Sequence, residues 1–265
     1  VLASSCAALV ACGSAGGTTP PVPAPAAPPY AAGLTEHGLT VGGVARRYRV
    51  HVPAALAVPG APAPTALVLV LHGGGGAGMD VANTGAHPLS VFRVVADRER
   101  FVVVYPGGLP GTDGQPGWND CRSDNRPGSG ADDVAFLAAL IERVRGEYAL
   151  PVRRVFMAGG SNGAMMTQAF ALARPDLVRA VASSAGSLAA NPRPGACSDG
   201  PAVPVPILLT QGTADPQMPY GGGCVADVGG ACNRGRVISA EATRDRWLRG
   251  NGLAGVPPRQ AVIDP

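Results

Sequence analysis

The stretch Val155-Phe-Met-Ala-Gly-Gly-Ser161-Asn-Gly-Ala-Met-Met-Thr-Gln-Ala-Phe170 decides the fold. Residues 155 to 158 form an apolar run suited to a short buried strand, and 164 to 173 is compatible with a helix. Arg174-Pro175 stops that helix, because proline lacks the N–H and crowds the preceding turn. Between the two, Gly159-Gly160-Ser161-Asn162-Gly163 matches G-x-S-x-G, the pattern of a sharp strand-to-helix elbow. Small flanking residues let neighbouring backbone pass close, and the serine hydroxyl is lifted above the amides that open the helix. Those amides suit an oxygen that acquires negative charge.

Outward on the N-terminal side, residues 66 to 71 are a continuous apolar run of the kind buried in parallel sheets. His72-Gly73-Gly74-Gly75-Gly76-Ala77-Gly78 follows. Gly73, Gly75 and Gly78 satisfy G-x-G-x-x-G, which could wrap a dinucleotide pyrophosphate. However, the next acids, Asp97 and Glu99, precede the strand at 101 to 105 instead of ending one, so no cofactor is expected. The same run fits an HGGG-type loop, whose flexible backbone would supply an N–H to an oxyanion opposite the elbow. His72 is read as shaping that loop. Residues 39 to 53 alternate around Gly42-Gly43 as a β-hairpin, which makes His51 a strand residue with a packing or surface role.

Residues 107 to 130 make a long Gly-, Pro- and Asp-rich loop. In it Trp118 would either flank a substrate cleft or anchor the loop. Asp132 and Asp133 open a helical pattern that runs to Tyr148, with capping as their expected role. Residues 180 to 186 and 203 to 210 are further short strands, and 239 to 249 is a helix. Alternation of this kind predicts an α/β domain with an open, mostly parallel, doubly wound sheet. Asp215, in Gly212-Thr-Ala-Asp-Pro216, falls on the loop at a strand's carboxyl end. An acid there can orient a base acting on Ser161, or simply stabilise a turn before Pro216.

The 265 residues suffice for one large domain. All 21 basic residues are Arg, the net charge is +3, and no basic run is interleaved with aromatics, which argues against a nucleic-acid partner. No apolar stretch reaches the roughly 18 residues of a membrane span. Residues 1 to 12 resemble the end of a secretion signal, with Leu9-Val-Ala-Cys12 in the pattern of a lipobox, so Cys12 is an expected lipidation site and membrane tether. Residues 13 to 36 are assigned to a Pro-, Ala- and Gly-rich linker and 37 to 265 to the domain. Cys121, Cys197, Cys224 and Cys232 form an even set in an exported chain, so disulfides are expected. Three pairings are possible, although Cys224 and Cys232 flank one short loop. No C-x-x-C spacing points to a metal.

Taken together, His72-Gly-Gly-Gly-Gly, Val102-Val-Val-Tyr-Pro106, Trp118-Asn119, Asp132-Asp-Val-Ala-Phe-Leu137, Gly160-Ser-Asn-Gly163 and Gly212-Thr-Ala-Asp-Pro216 with Pro219-Tyr220 resemble the α/β-hydrolase superfamily. More narrowly, they resemble the secreted poly(3-hydroxybutyrate) depolymerase and feruloyl esterase group with its LpqC-like lipoproteins. The resemblance implies hydrolysis of a carboxylic ester through an acyl-enzyme. Ser161 would be the nucleophile and Asp215 the acid, with Asn162 and the Gly73–Gly74 region as the oxyanion hole. In that family the base is a histidine downstream of the acid, whereas here no histidine follows His87. A domain lacking its final strand and histidine loop is the expectation, with a non-catalytic binding protein on the same scaffold as the alternative.

Overall fold

A computed structural model describes residues 28–75, 78–83, 85, 87–125, 128–193, 201, 203–226 and 231–257. Cys12, Cys197 and most of the expected linker lie outside these residues. Strands β1 (Gly33–Val41) and β2 (Val44–Val52) pair antiparallel around Gly42 and Gly43. Both glycines have positive φ, 56° and 80°, as the tight turn that suits strand twist demands. Strand β1 begins inside the stretch assigned to the linker. Leu34, Thr35 and Glu36 pair with His51, Val50 and Arg49, and Tyr30 is buried edge-on against His37. Polar composition hid a strand whose partner supplies the order.

Among the described residues five further strands join the same sheet: β3 (Leu67–Leu71), β4 (Val102–Pro106), β5 (Val155–Gly160), β6 (Ala180–Ser184) and β7 (Ile207–Thr210). The sheet order is β1-β2-β4-β3-β5-β6-β7, parallel from β4 to β7. Strand β7 starts at Ile207, after Pro204 and Pro206, since proline cannot donate to a ladder. Four helices cover the sheet: α1 (Val91–Glu99), α2 (Asp133–Glu147), α3 (Asn162–Ala173) and α4 (Ala240–Gly250).

Strand periodicity divides the core between two faces. Leu67, Leu69, Val102 and Val104 pack with Phe136, Leu140, Phe170 and Trp247 on one side. Val70, Val103 and Tyr105 pack with Ala96, Phe92 and Val95 of α1 on the other. A sheet covered on both faces explains why β4 is buried at every position. Helix α1 was missed in the sequence reading, although Phe92, Val95 and Ala96 fall at helical spacing and form its sheet-facing side. It ends where Arg100 adopts φ 58° and returns its N–H to the Ala96 carbonyl.

The capping expectation divides at the start of α2. Asp132 is the cap, accepting from the Ala135 amide at 2.9 Å. Asp133 instead lies buried in an ion pair with Arg46 at 2.6 Å, and its second oxygen accepts from the Asn119 amide at 2.6 Å. Arg46 also donates to the Gly107 carbonyl at 3.1 Å and stacks on the Phe136 ring. This pair therefore ties β2 to α2 and to the long loop after β4. Burial pushes the Asp133 carboxyl up from its ordinary range, and the Asn119 amide and Arg46 pull it back. His51 is buried, with one ring nitrogen 2.8 Å from Asp97 and the other accepting from Arg93, a packing role.

Candidate active site

Strand β5 runs into α3 through Ser161, whose φ of 52° and ψ of −122° are backbone values that cost a non-glycine residue about 1–3 kcal/mol. The close approach foreseen from the sequence is quantitative here. A Cβ on Gly163 would sit 2.3 Å from the His72 carbonyl oxygen, and one on Gly159 would sit 2.3 Å from the Gly163 oxygen. At Gly160 nothing comes nearer than 4.0 Å. Gly163→Ala is therefore expected to disrupt the elbow and lower the urea midpoint severely. Gly160→Ala should stay within about 0.5 kcal/mol of the parent. Equal effects at the two sites would contradict the packing described here.

The Ser161 amide donates to the Ser184 carbonyl at 2.9 Å, and its carbonyl accepts from the Met165 amide at 3.0 Å. The next amide, that of Asn162, opens α3, where N–H groups lack intrahelical partners. Facing it is the loop after β3. Ideal Cβ positions on Gly73 and Gly74 fall 3.4 Å from Ser161 Cβ and 3.5 Å from Asn162 Cβ, so the loop backbone lies directly against the elbow. The structure thus brings Ser161, Asn162, Gly73 and Gly74 together.

His72 is almost fully buried and its ring is committed. Nε2 accepts from the Gly108 amide at 2.9 Å, which leaves the proton on Nδ1 to donate to the Gly73 carbonyl at 2.6 Å. Burial holds its pKa below the ordinary histidine value, and burial does the same for His37. Both groups favour the neutral form in the fold. Their contribution is complete above the unfolded value of about 6.5 and is lost as the pH falls from there through the lower folded value. The urea midpoint should therefore drop between pH 7.5 and pH 5.5. A flat profile would mean that neither ring resists its proton.

Trp118 takes the anchoring role. Its indole is 1% exposed and donates to the His72 carbonyl at 2.8 Å, beneath the cleft. It also lines the cleft over the elbow, so the anchoring and cleft-flanking positions coincide in one side chain. The Asn162 side chain, which sequence reasoning overlooked, fastens the elbow to the long loop. Its Oδ1 accepts from the Trp118 amide at 2.6 Å, and its Nδ2 donates to the Trp118 carbonyl and to Asp120 at 3.0 and 2.8 Å. Asp120 is paired in turn with buried Arg122 at 2.8 Å. The available signal was a pair of opposite charges, Asp120 and Arg122, two residues apart in the long loop.

Asp215 lies in the turn after β7, two strands from β5. One carboxylate oxygen accepts from the amides of Gln217 and Met218 at 2.8 and 2.9 Å. Its Oδ2 has no hydrogen bond among the described residues. No histidine is hydrogen-bonded to Ser161 or Asp215 among the described residues; His37 meets Thr35 and His87 caps the turn at Leu89. A cleft of about 300 Å³ opens over the elbow, bounded by Gly74, Ser161, Asn162, Met165, Gln217 and Arg234. The cysteine pairing is partly resolved. Cys224 bonds Cys232, and Cys121 is also disulfide-bonded, its partner lying outside the described residues.

No family model matches the chain. It is 33% identical over 223 residues to NocK of Nocardia uniformis subsp. tsuyamanensis, named as an esterase, an alignment covering 77% of this chain and 59% of NocK. Feruloyl esterase B of Piromyces equi is 31% identical over 162 residues, 59% of this chain and 28% of that protein. The chain thus spans less than two thirds of these relatives. Among solved structures, a thermostable esterase superposes with a TM-score of 0.50 over 84% of this chain and 52% of its own, at 17% identity, a likeness of fold. The strand order, the elbow and the likeness to that structure give the chain an α/β-hydrolase fold, and the proteins it is similar to in sequence are named as esterases.

Proposed function

We propose that the protein is an exported serine esterase that cleaves carboxylic esters through an acyl-enzyme on Ser161. The observation that carries this reading is the strained elbow, which holds Ser161 at the cleft floor between the Asn162 amide and the Gly73–Gly74 loop. Ser161 Oγ attacks the ester carbonyl, and the oxygen that becomes negative is received by the Asn162 N–H and by loop amides near Gly73 and Gly74. The alcohol leaves with a proton, and water then releases the acid and restores the hydroxyl. Such chemistry needs an imidazole to take the serine proton, and the unbonded oxygen of Asp215 is suited to orient one. His72 is unsuited to that task, because both of its ring nitrogens are engaged.

Feruloyl, short acyl and polyhydroxyalkanoate esters are the substrate classes that the relatives' names suggest. Disulfide bonding at Cys121, Cys224 and Cys232 supports export to an oxidising compartment, with Cys12 proposed as the lipid attachment point. The test is acid-quenched reaction of the full-length protein with p-nitrophenyl acetate, followed by peptide mass analysis. A burst of one nitrophenolate per protein, with acetyl on the Ser161 peptide, is expected. No burst and no acetylation would favour a binding protein on this scaffold, a reading suggested by the lack of a histidine bonded to Ser161.

A further inference from the structure

We infer that Arg234 is a specificity-determining residue that anchors a carboxylate carried by the ester substrate, an inference that rests on the esterase reading. Three charged side chains border the cleft among its described lining residues: Asp113, Arg122 and Arg234. Arg122 is unavailable, being 3% exposed and committed to Asp120 and to the Arg234 carbonyl. Arg234 remains as the cation presented to a ligand. Its side chain is 40% exposed, and a single contact of 3.3 Å joins it to Asp113. Open ion pairs of that kind are worth little, so an incoming carboxylate can compete for the guanidinium.

The position of Arg234 relative to the reacting centre comes from the glycine loop. An ideal Cβ on Gly73 lies 4.0 Å from Ser161 Oγ, and one on the next residue, Gly74, lies 3.7 Å from a terminal nitrogen of Arg234. Adjacent residues place the guanidinium within roughly 13 Å of the serine hydroxyl. That span suits an ester whose carboxylate stands several atoms from the scissile bond. A planar fork of donors matches a carboxylate in a way that neutral cleft walls do not.

The surrounding backbone holds Arg234 in place. It forms a bridge with Asn125, its carbonyl accepts from buried Arg122, and it stands two residues after Cys232, which is disulfide-bonded to Cys224. Gly235 follows at φ 72°, where a Cβ would come within 2.4 Å of Asp124 Oδ1. A surface arginine needs no such constraint; a recognition residue gains from it, because less freedom is lost on binding.

The test compares 4-acetoxybenzoate with its neutral methyl ester, and p-nitrophenyl hemi-esters of dicarboxylic acids with p-nitrophenyl alkanoates of equal length, on the full-length protein. The two pairs place the anion on the leaving and acyl sides. In at least one pair, Arg234→Met should lower the anionic-to-neutral ratio of kcat/KM by about 10- to 100-fold. Arg234→Lys should recover part of it, and Asp113→Asn, which frees the guanidinium, should raise it. Ratios within about twofold of the parent in all variants would overturn the inference while leaving the esterase reading intact. If no ester turns over, calorimetric titration with 4-acetamidobenzoate against 4-acetamidobenzamide decides separately. Tighter, salt-sensitive binding of the acid that Arg234→Met weakens at least tenfold supports the inference, and equal binding of the two overturns it.

Discussion

Ser161→Gly is expected to make the protein more stable and to abolish the ester hydrolysis proposed above. At φ 52° and ψ −122° the serine backbone is strained by its Cβ, and glycine removes that strain. Part of the gain is offset, because glycine also adds freedom to the unfolded chain, at about 0.4–1 kcal/mol. A net stabilisation of about 0.5–2 kcal/mol remains. Activity should fall by about 10⁴-fold or more, the scale on which a serine nucleophile counts when it acts as a unit with its base. Ser161→Ala separates the two effects, since it removes the hydroxyl and keeps the Cβ. It should be equally inactive and no more stable than the parent. Urea denaturation and p-nitrophenyl acetate turnover on the full-length protein read both quantities. A glycine variant no more stable than the alanine variant would remove the strain argument, and retained turnover in either would remove Ser161 from the mechanism.

The largest loss of stability is expected from Arg46→Met. The substitution leaves the Asp133 carboxylate buried with only the Asn119 amide for support. Breaking one half of a buried pair costs about 3–5 kcal/mol, mostly through the charge left behind. Burial already raises the Asp133 pKa, and removing the cation raises it further. A raised acid pKa contributes stability at low pH that is lost as the pH rises through the folded value. The deficit of Arg46→Met should therefore be smaller at pH 5.5 than at pH 8. Adding Asp133→Asn should restore much of the loss, because the amide oxygen can still accept from Asn119. A deficit equal at both pH values and unrelieved by the second substitution would locate the loss in the contact with Phe136 instead.

Much of the architecture was legible because it depends on local chemistry. Apolar runs at 66 to 71, 101 to 105 and 155 to 158 became β3, β4 and β5, since continuous burial leaves a continuous apolar signature. Gly42-Gly43 announced its hairpin through the positive φ that both positions need. The first residues of β1 gave no such signal, and that of helix α1 was brief. The helix is short and its apolar face rests on Phe92, Val95 and Ala96 alone, and the strand is ordered by pairing with β2, Gly33 with Val52 and Glu36 with Arg49.

The sequence by itself determined the elbow: small residues around Ser161, an apolar run before it and a helix after it allow little else, because the steric limits act between near neighbours. The tertiary structure decided what the other polar residues do. His72 became a loop strut when the Gly108 amide reached its ring, and Asp133 an ion-pair partner when β2 brought Arg46 beside it. Trp118 was turned inward by the His72 carbonyl. Arg234 reached the cleft through contacts with a loop more than a hundred residues earlier. A side chain's type limits which bonds it can make. Which one it does make depends on groups that are distant in the chain and adjacent only once the sheet has formed.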